Sequence, residues 1–81
     1  MQKKIKLIWD FRGSESLPIA EHHRIHLDEF IVREKLDFQE TGIHKVSPMY
    51  TIAYMMVSEA QMILVRDALK PHRGELITIE D

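Results

Sequence analysis

The 81-residue chain has no cysteine, only three glycines and three prolines, and no long apolar run. The absence of cysteine excludes disulfide bonds, thiolate nucleophiles and cysteine-based zinc ribbons. No segment approaches the about 20 apolar residues that a membrane-spanning helix needs. The start, MQKKIKLIW, also lacks the apolar core and cleavage site of a secretory signal. These absences predict a cytoplasmic protein with no membrane segment.

The composition is that of a folded globule, with 44% hydrophobic and 30% charged residues, and it predicts a single domain over residues 1–81. The formal net charge of −2 provides no general attraction to nucleic acid. Phosphate-binding patterns such as GxGxxG and GxxxxGK[ST] are missing, so the sequence identifies no cofactor. Function must therefore be inferred from how the predicted elements bring residues together.

The longest periodic segment runs from Pro18 to Leu36 and predicts a helix. Its inward arc contains Ile19, Ala20, His23, Leu27, Phe30 and Ile31. A second apolar line of Ile25, Val32 and Leu36 predicts that the helix contacts two surfaces, a sheet and either the other helix or a second copy of the chain.

A polar stripe along this helix is formed by His22, His26, Glu29 and Arg33, which follow one another at helical spacing. Two imidazoles and a carboxylate on one face are suitable ligands for a divalent metal, so His22, His26 and Glu29 form a candidate metal site. The specific HExxH pattern is absent. The competing interpretation is an ordinary surface ion pair between Glu29 and Arg33.

The remaining elements are predicted from alternation and turn signals. Ser16 is a candidate cap for the first helix, Ser58 begins an S-x-x-Q capping box, and Pro71 and Gly74 end a second helix whose Arg66 faces water. The predicted strands span Lys3 to Arg12, Gly42 to Val46, Tyr50 to Val57 and Glu75 to Glu80.

This order of elements predicts an α+β fold, the ferredoxin-like α/β plait (βαββαβ), whose antiparallel sheet has strand order 4-1-3-2 and carries two helices on one face. The alternative treats residues 42–57 as one bulged strand, which gives a three-stranded βαβαβ sandwich. Pro48 favours the plait because proline cannot donate a hydrogen bond within a central strand.

The plait topology predicts a locally basic end of the molecule, with Arg12, Ser14, His22, His72 and Arg73 as candidate ligand-binding residues. Arginines and histidines suit a small carboxylate or phosphate. The competing interpretation is a solvated end with cations that cap the second helix.

The other sheet face is predicted to expose an apolar patch, including Ile8, Tyr50, Ile52, Tyr54 and Met56, that two copies would bury against each other. Tyrosines on such a face can stack on bases, but the RNP pattern is missing and the acidic balance disfavours nucleic acid. The sequence thus predicts a dimeric binding or regulatory module for a small anionic ligand. The alternatives are a cofactor-free isomerase, lyase or oxygenase that uses histidine and tyrosine, and a histidine-based metal-binding protein.

Overall fold

Four strands and two helices make up the fold, which is given by a computed structural model that describes residues 2–36 and 40–79. The strands form one antiparallel sheet with the order β2-β3-β1-β4. The predicted α+β class, with a four-stranded antiparallel sheet and two helices, is confirmed. In chain order the elements are β1 (Gln2–Arg12), α1 (Ser16–Arg33), β2 (Glu40–Ser47), β3 (Tyr50–Ser58), α2 (Glu59–Leu69) and β4 (Arg73–Ile79).

The segment that admitted two interpretations folds as a hairpin of β2 and β3. Pro48 lies in the turn, where its missing N–H costs no ladder hydrogen bond, and the Met49 N–H donates to Ser47 Oγ at 3.3 Å. An irregularity in the register between Lys45 and Ser47 precedes this turn. The three-stranded alternative is therefore wrong.

Both helices cover one face of the sheet, which we call the covered face. Trp9 of β1 contacts both helices, since its indole Nε1 donates to the Leu69 carbonyl at 3.0 Å and its ring lies 4.9 Å from the His23 ring. The alternation predicted for β1 is what directs its odd-numbered residues to this side. The buried core is formed by Leu7, Trp9, Ala20, Leu27, Phe30, Ala53, Met55, Val57 and Val65.

The helix ends differ from those predicted. Ser16, the predicted cap, is instead the first residue of α1, and its buried hydroxyl pairs with Thr51 Oγ1 at 3.0 Å. The cap position belongs to Glu15, without a side-chain hydrogen bond. Ser58 does occupy the cap position of α2, but its side chain makes no capping hydrogen bond. The hydroxyl of Ser16 thus serves the core and not the helix terminus.

The second apolar line of α1 is not covered by the other helix, although its Leu36 packs against the core. Among the described residues no Cα atom of α1 lies within 8 Å of one in α2, and Ile25 and Val32 are exposed. α2 exposes Ile63 and Leu64 in the same way. Neither helix in the described part of the chain is long and apolar enough to cross a membrane.

The sheet face that carries no helix, called the open face, is less exposed to solvent than predicted. Ile8 is 0% exposed and Ile52 is 6% exposed, although no second layer lies over them within the described chain. Ile8 lies between Tyr54 of β3 and Arg73 of β4 in the strand register, so longer side chains flank it on both sides. The prediction of a large exposed apolar patch on this face is wrong.

Candidate functional site

Some residues of the predicted basic end lie around the Asp10 carboxylate on the open face. Arg73 donates from Nε and Nη2 to the two carboxylate oxygens of Asp10, each at 3.2 Å. The Tyr50 hydroxyl donates to the same carboxylate and accepts from Arg73 Nη2 at 3.3 Å. The Arg12 guanidinium lies 4.1 Å from the centre of the Tyr50 ring. We call Asp10, Arg12, Tyr50 and Arg73 the open-face cluster.

His72 joins this cluster from the start of β4. Its Nδ1 accepts a hydrogen bond from the Asp10 backbone N–H at 2.8 Å, and its own backbone N–H donates to the Ile8 carbonyl at 2.9 Å. The imidazole therefore adds a hydrogen bond from the β1 main chain just beyond the end of the ladder between β4 and β1. Three predicted site residues, Arg12, His72 and Arg73, are thus brought together.

Within the open-face cluster, Asp10 and Arg73 form an ion pair. The hydrogen bond from Arg73 lowers the pKa of the Asp10 carboxyl below its usual value, while burial opposes this shift. The same hydrogen bond raises the pKa of the Arg73 guanidinium. Arg73 Nη1 also contacts Glu75 Oε1 at 3.4 Å. Because two carboxylates already surround this guanidinium, an incoming anion would have to displace one of them.

The other two predicted ligand-binding residues lie apart from this cluster. Ser14 is exposed in the connection between β1 and α1, where Gly13 adopts a positive φ of 114° and its N–H donates to the Met49 carbonyl at 2.8 Å. His22 is on the outer surface of α1 and pairs with His26. The five predicted residues therefore do not form one site.

A cavity of about 360 Å³ opens between α2 and β4 on the covered side of the sheet. We call it the α2–β4 cavity. Gly74 and Leu76 of β4 lie opposite Leu7 and Ile5 of β1, so their positions share the covered face. Arg73 and Glu75 contribute main chain here, since their side chains meet on the open face. The lining consists of Ile5, Leu7, Met62, Arg66, Pro71, Arg73, Gly74, Glu75 and Leu76.

Gly74 leaves room in the part of the cavity wall that β4 forms. A Cβ atom added at Gly74 would lie 3.5 Å from Leu7 Cδ2 and 3.6 Å from Ile5 Cγ2, which are ordinary contacts. Arg66 is the lining cation whose side chain belongs to this side of the sheet. Its Nε contacts Asp67 Oδ1 at 3.2 Å in an exposed pair, which is weak and readily exchanged.

A depression of about 520 Å³ along α1 is larger, but its described lining is Asp28, Glu29, Val32 and Arg33 of a single helix. Charged side chains on one exposed helix face offer little burial to a ligand. The α2–β4 cavity, with aliphatic walls from three elements and one cation, is the better candidate site for a small molecule.

His23 is a partly buried residue that the sequence placed on the inward arc without assigning it a role. Its ring lies between Trp9 and Phe11, with ring centres 4.9 and 5.4 Å away, and its Nε2 is buried without a hydrogen-bond partner. Burial lowers the pKa of this imidazole, and the neighbouring histidines, led by His26, lower it further.

The predicted metal ligands form a chain of contacts along α1. His22 Nε2 and His26 Nε2 are 2.9 Å apart, and His26 Nδ1 lies 3.3 Å from Glu29 Oε1. The three side chains do not surround one point, and within residues 2–36 and 40–79 no group of three or more histidine, aspartate or glutamate residues does so.

Comparison with known proteins gives no relative from which to transfer a function: no family model, curated protein or solved structure matches the chain.

Proposed function

We propose that this protein is a small binding module that takes a mainly apolar molecule with one carboxylate or phosphate group into the α2–β4 cavity. The observation that carries the proposal is a cavity of about 360 Å³ with aliphatic walls and Arg66 at its margin. Ligand sites are typically concave, largely apolar and equipped with few polar groups, and their volumes begin near 300 Å³. The anionic ligand predicted from the sequence is kept, but its binding residues change.

The ferredoxin-like plait is the architecture that we propose for this module. Its support is the chain order βαββαβ together with the strand order, which reads 4-1-3-2 when it is counted from β4. In this arrangement β4 is an edge strand, so a ligand can enter beside α2 without separating the central strands. The fold alone assigns no activity.

Arg66 is better placed than Arg73 to bind the acidic group of a ligand. Arg73 is held by Asp10, Tyr50 and Glu75 on the other face, whereas Arg66 makes one exposed contact with its neighbour Asp67. An exposed ion pair contributes about 0–1 kcal/mol, so exchanging it for a ligand carboxylate costs little. The aliphatic walls would provide most of the affinity and Arg66 the preference for an anion.

The test is a titration with octanoate, octanol and octylamine, followed by the amide resonances of the protein in solution. We expect octanoate to shift the amides of Arg66, Gly74 and Leu76 and to bind at least tenfold more tightly than octylamine. Gly74→Val should weaken binding at least tenfold, because its side chain projects into the cavity. Arg66→Gln should weaken binding of octanoate about tenfold and leave octanol unchanged, since one charge-assisted contact is removed.

Arg33→Gln is the matched control, since Arg33 also pairs with its neighbour, Glu34, on an exposed helix surface away from the cavity. It should bind octanoate like the parent. If Gly74→Val remains folded and binds octanoate with parental affinity, the cavity is not the site and the proposal is wrong. Equal losses in Arg66→Gln and Arg33→Gln would show a nonspecific charge effect and would remove the argument for an anion.

We further propose a cytoplasmic homodimer, with the two sheets side by side. Face-to-face packing loses its driving force because Ile8 and Ile52 are already buried within one chain. The edge strand β4 pairs with β1 alone among the described strands, and its Leu76 is 62% exposed. A native mass spectrum of untagged protein should give the dimer mass. A monomer mass would reject the dimer and leave the cavity proposal standing.

The enzymatic alternative has one observation in its favour, the contact of two titratable side chains in the open-face cluster. The Tyr50 hydroxyl donates to Asp10, and His72 Nδ1 lies 4.0 Å from the same carboxylate. General acid–base catalysis needs such groups beside a bound substrate. The α2–β4 cavity lies on the opposite side of the sheet, which is why a binding function is supported better than turnover.

A further inference from the structure

Two histidine side chains on the outer surface of α1 contact each other through their Nε2 atoms. His22 Nε2 and His26 Nε2 are 2.9 Å apart, and the two rings are nearly perpendicular at 86°. Both residues are exposed, so ions can reach them from solvent. A contact this short between imidazole nitrogens requires a shared proton, because two lone pairs facing each other repel.

Glu29 favours one tautomer of His26. Its Oε1 lies 3.3 Å from His26 Nδ1 in an exposed contact, which favours a proton on this nitrogen. The Nε2 atom of His26 then has a lone pair, which accepts a hydrogen bond from the Nε2–H group of His22. A carboxylate that holds the distal nitrogen of an imidazole in this way is the usual outer partner of a metal-binding histidine.

The distance between the two nitrogens also allows both of them to bind one ion. Metal–nitrogen bonds of about 2.0–2.1 Å place two nitrogens about 2.9 Å apart when the angle at the metal is about 90°. Right angles are typical of the square-planar, tetragonal and octahedral sites of Cu²⁺ and Ni²⁺, whereas a tetrahedral zinc site has wider angles. The observed separation between His22 and His26 is 2.9 Å.

We propose that His22 and His26 form a two-imidazole site for Cu²⁺ or Ni²⁺, in which the His22 proton moves from Nε2 to Nδ1 and both Nε2 lone pairs turn toward the ion. Glu29 is a positioning residue in this site and not a ligand, which changes the ligand set that the sequence spacing predicted. Water completes the coordination, since no third donor group is assembled there in the described chain. The site is independent of the α2–β4 cavity, which is lined by other elements.

Calorimetric titration of untagged protein with Cu²⁺, in glycine buffer as a weak competitor, tests this site. We expect one ion per chain, with His22→Ala and His26→Ala each losing at least tenfold in affinity because the chelate is broken. Glu29→Gln should lose about tenfold, the lower limit for outer-shell carboxylates. Electron paramagnetic resonance of the Cu²⁺ complex should show two coordinated nitrogens in the parent and one in each alanine variant.

His44→Ala is the matched control, because His44 is an exposed histidine on β2 of the sheet. It should bind Cu²⁺ within twofold of the parent. Alanine favours helix, so loss of folding is not expected in the α1 variants, and circular dichroism checks this. Parental affinity in either α1 alanine variant would overturn the proposal, as would an equal loss in His44→Ala. An unchanged affinity in Glu29→Gln would overturn the positioning role.

Discussion

The two faces of the sheet exclude water by different means. On the covered face, Leu7 and Trp9 are buried because α1 and α2 lie over them. On the open face, Ile8 is as deeply buried as Leu7, although no helix covers it. Long amphipathic side chains from neighbouring strands take the place of a second layer there. A sheet face without a helix is thus not the same as a face exposed to solvent.

The side chains that cover the open face combine an apolar body with a polar end. Tyr54 lies over Gly42, where a methyl group would overlap its ring, and the Lys6 ammonium lies 4.6 Å from the centre of that ring. Tyr50 is held between the Arg12 guanidinium and the Asp10 carboxylate. Such residues shield the isoleucines while they keep their polar atoms in water. The comparison between the two faces makes three predictions.

The largest effects are expected for two neighbouring residues that point to opposite faces. Leu7→Ala and Ile8→Ala should each lower the free energy of unfolding by about 2–5 kcal/mol, because each removes buried methyl groups and leaves a cavity. Urea denaturation measures both. Val32→Ala, at a position 78% exposed, is the control and should change it by less than about 0.5 kcal/mol. A similarly small effect of Ile8→Ala would mean that the open face is solvated.

A smaller effect is expected from Gly42→Ala, which tests the cover of the open face directly. The added methyl group must displace the Tyr54 ring, and we expect a loss of about 1–3 kcal/mol in the same denaturation assay. Gly74→Ala is the counterpart on β4, where the methyl meets ordinary contacts, and it should be neutral or stabilising by up to about 1 kcal/mol. Equal effects at the two glycines would contradict a closely packed Tyr54.

The smallest expected effect is the pH dependence of the free energy of unfolding. It should occur in a different pH range for each face. Because burial lowers the pKa of His23, the unfolded chain binds its proton more readily, so this part of the stability falls as pH drops below about 6.5. Asp10 also has a lowered pKa, but for a carboxylate the stabilisation is present above about pH 3.9 and is lost in stronger acid.

Urea denaturation as a function of pH separates these two contributions. His23→Phe should reduce the loss of stability between about pH 7.5 and 5.5, while Asp10→Asn should keep that loss and reduce the one below about pH 4. His44→Gln is the control, because His44 lies on β2 away from the ring contacts of His23. A His23→Phe profile that matches the parent would show that this imidazole does not couple to folding.

The sequence predicts the regular elements well where one strand or helix alone determines the pattern. Strict alternation identifies β1 and its covered face, and the helical spacing of Met62, Val65 and Leu69 identifies the inward side of α2. Proline chemistry divides residues 42–57 correctly into two strands. These signals are local, so neighbouring residues suffice to interpret them.

The candidate site is less predictable because it depends on contacts between distant elements. Gly74 reads as a helix stop signal, yet in β4 it leaves the space of the α2–β4 cavity. Arg66 reads as water-facing, and Ser16 as a cap, because the spacing within a helix does not reveal what lies above it. The predicted topology brings Arg12, His72 and Arg73 together correctly, but it does not reveal that Asp10 pairs with Arg73. Only the folded structure shows that the missing side chain of Gly74 adjoins a cavity.

The position of β1 between β3 and β4 has a consequence for how the chain folds. Ile5 pairs with Val57 on one side and with Leu76 on the other, so β1 is synthesised before both of its partner strands. Until then the apolar side of β1 has nothing to pack against except α1. Pairing between strands that are far apart in sequence slows folding and prolongs the exposure of apolar surface. During synthesis β1 is therefore the strand of this sheet that waits longest for its neighbours.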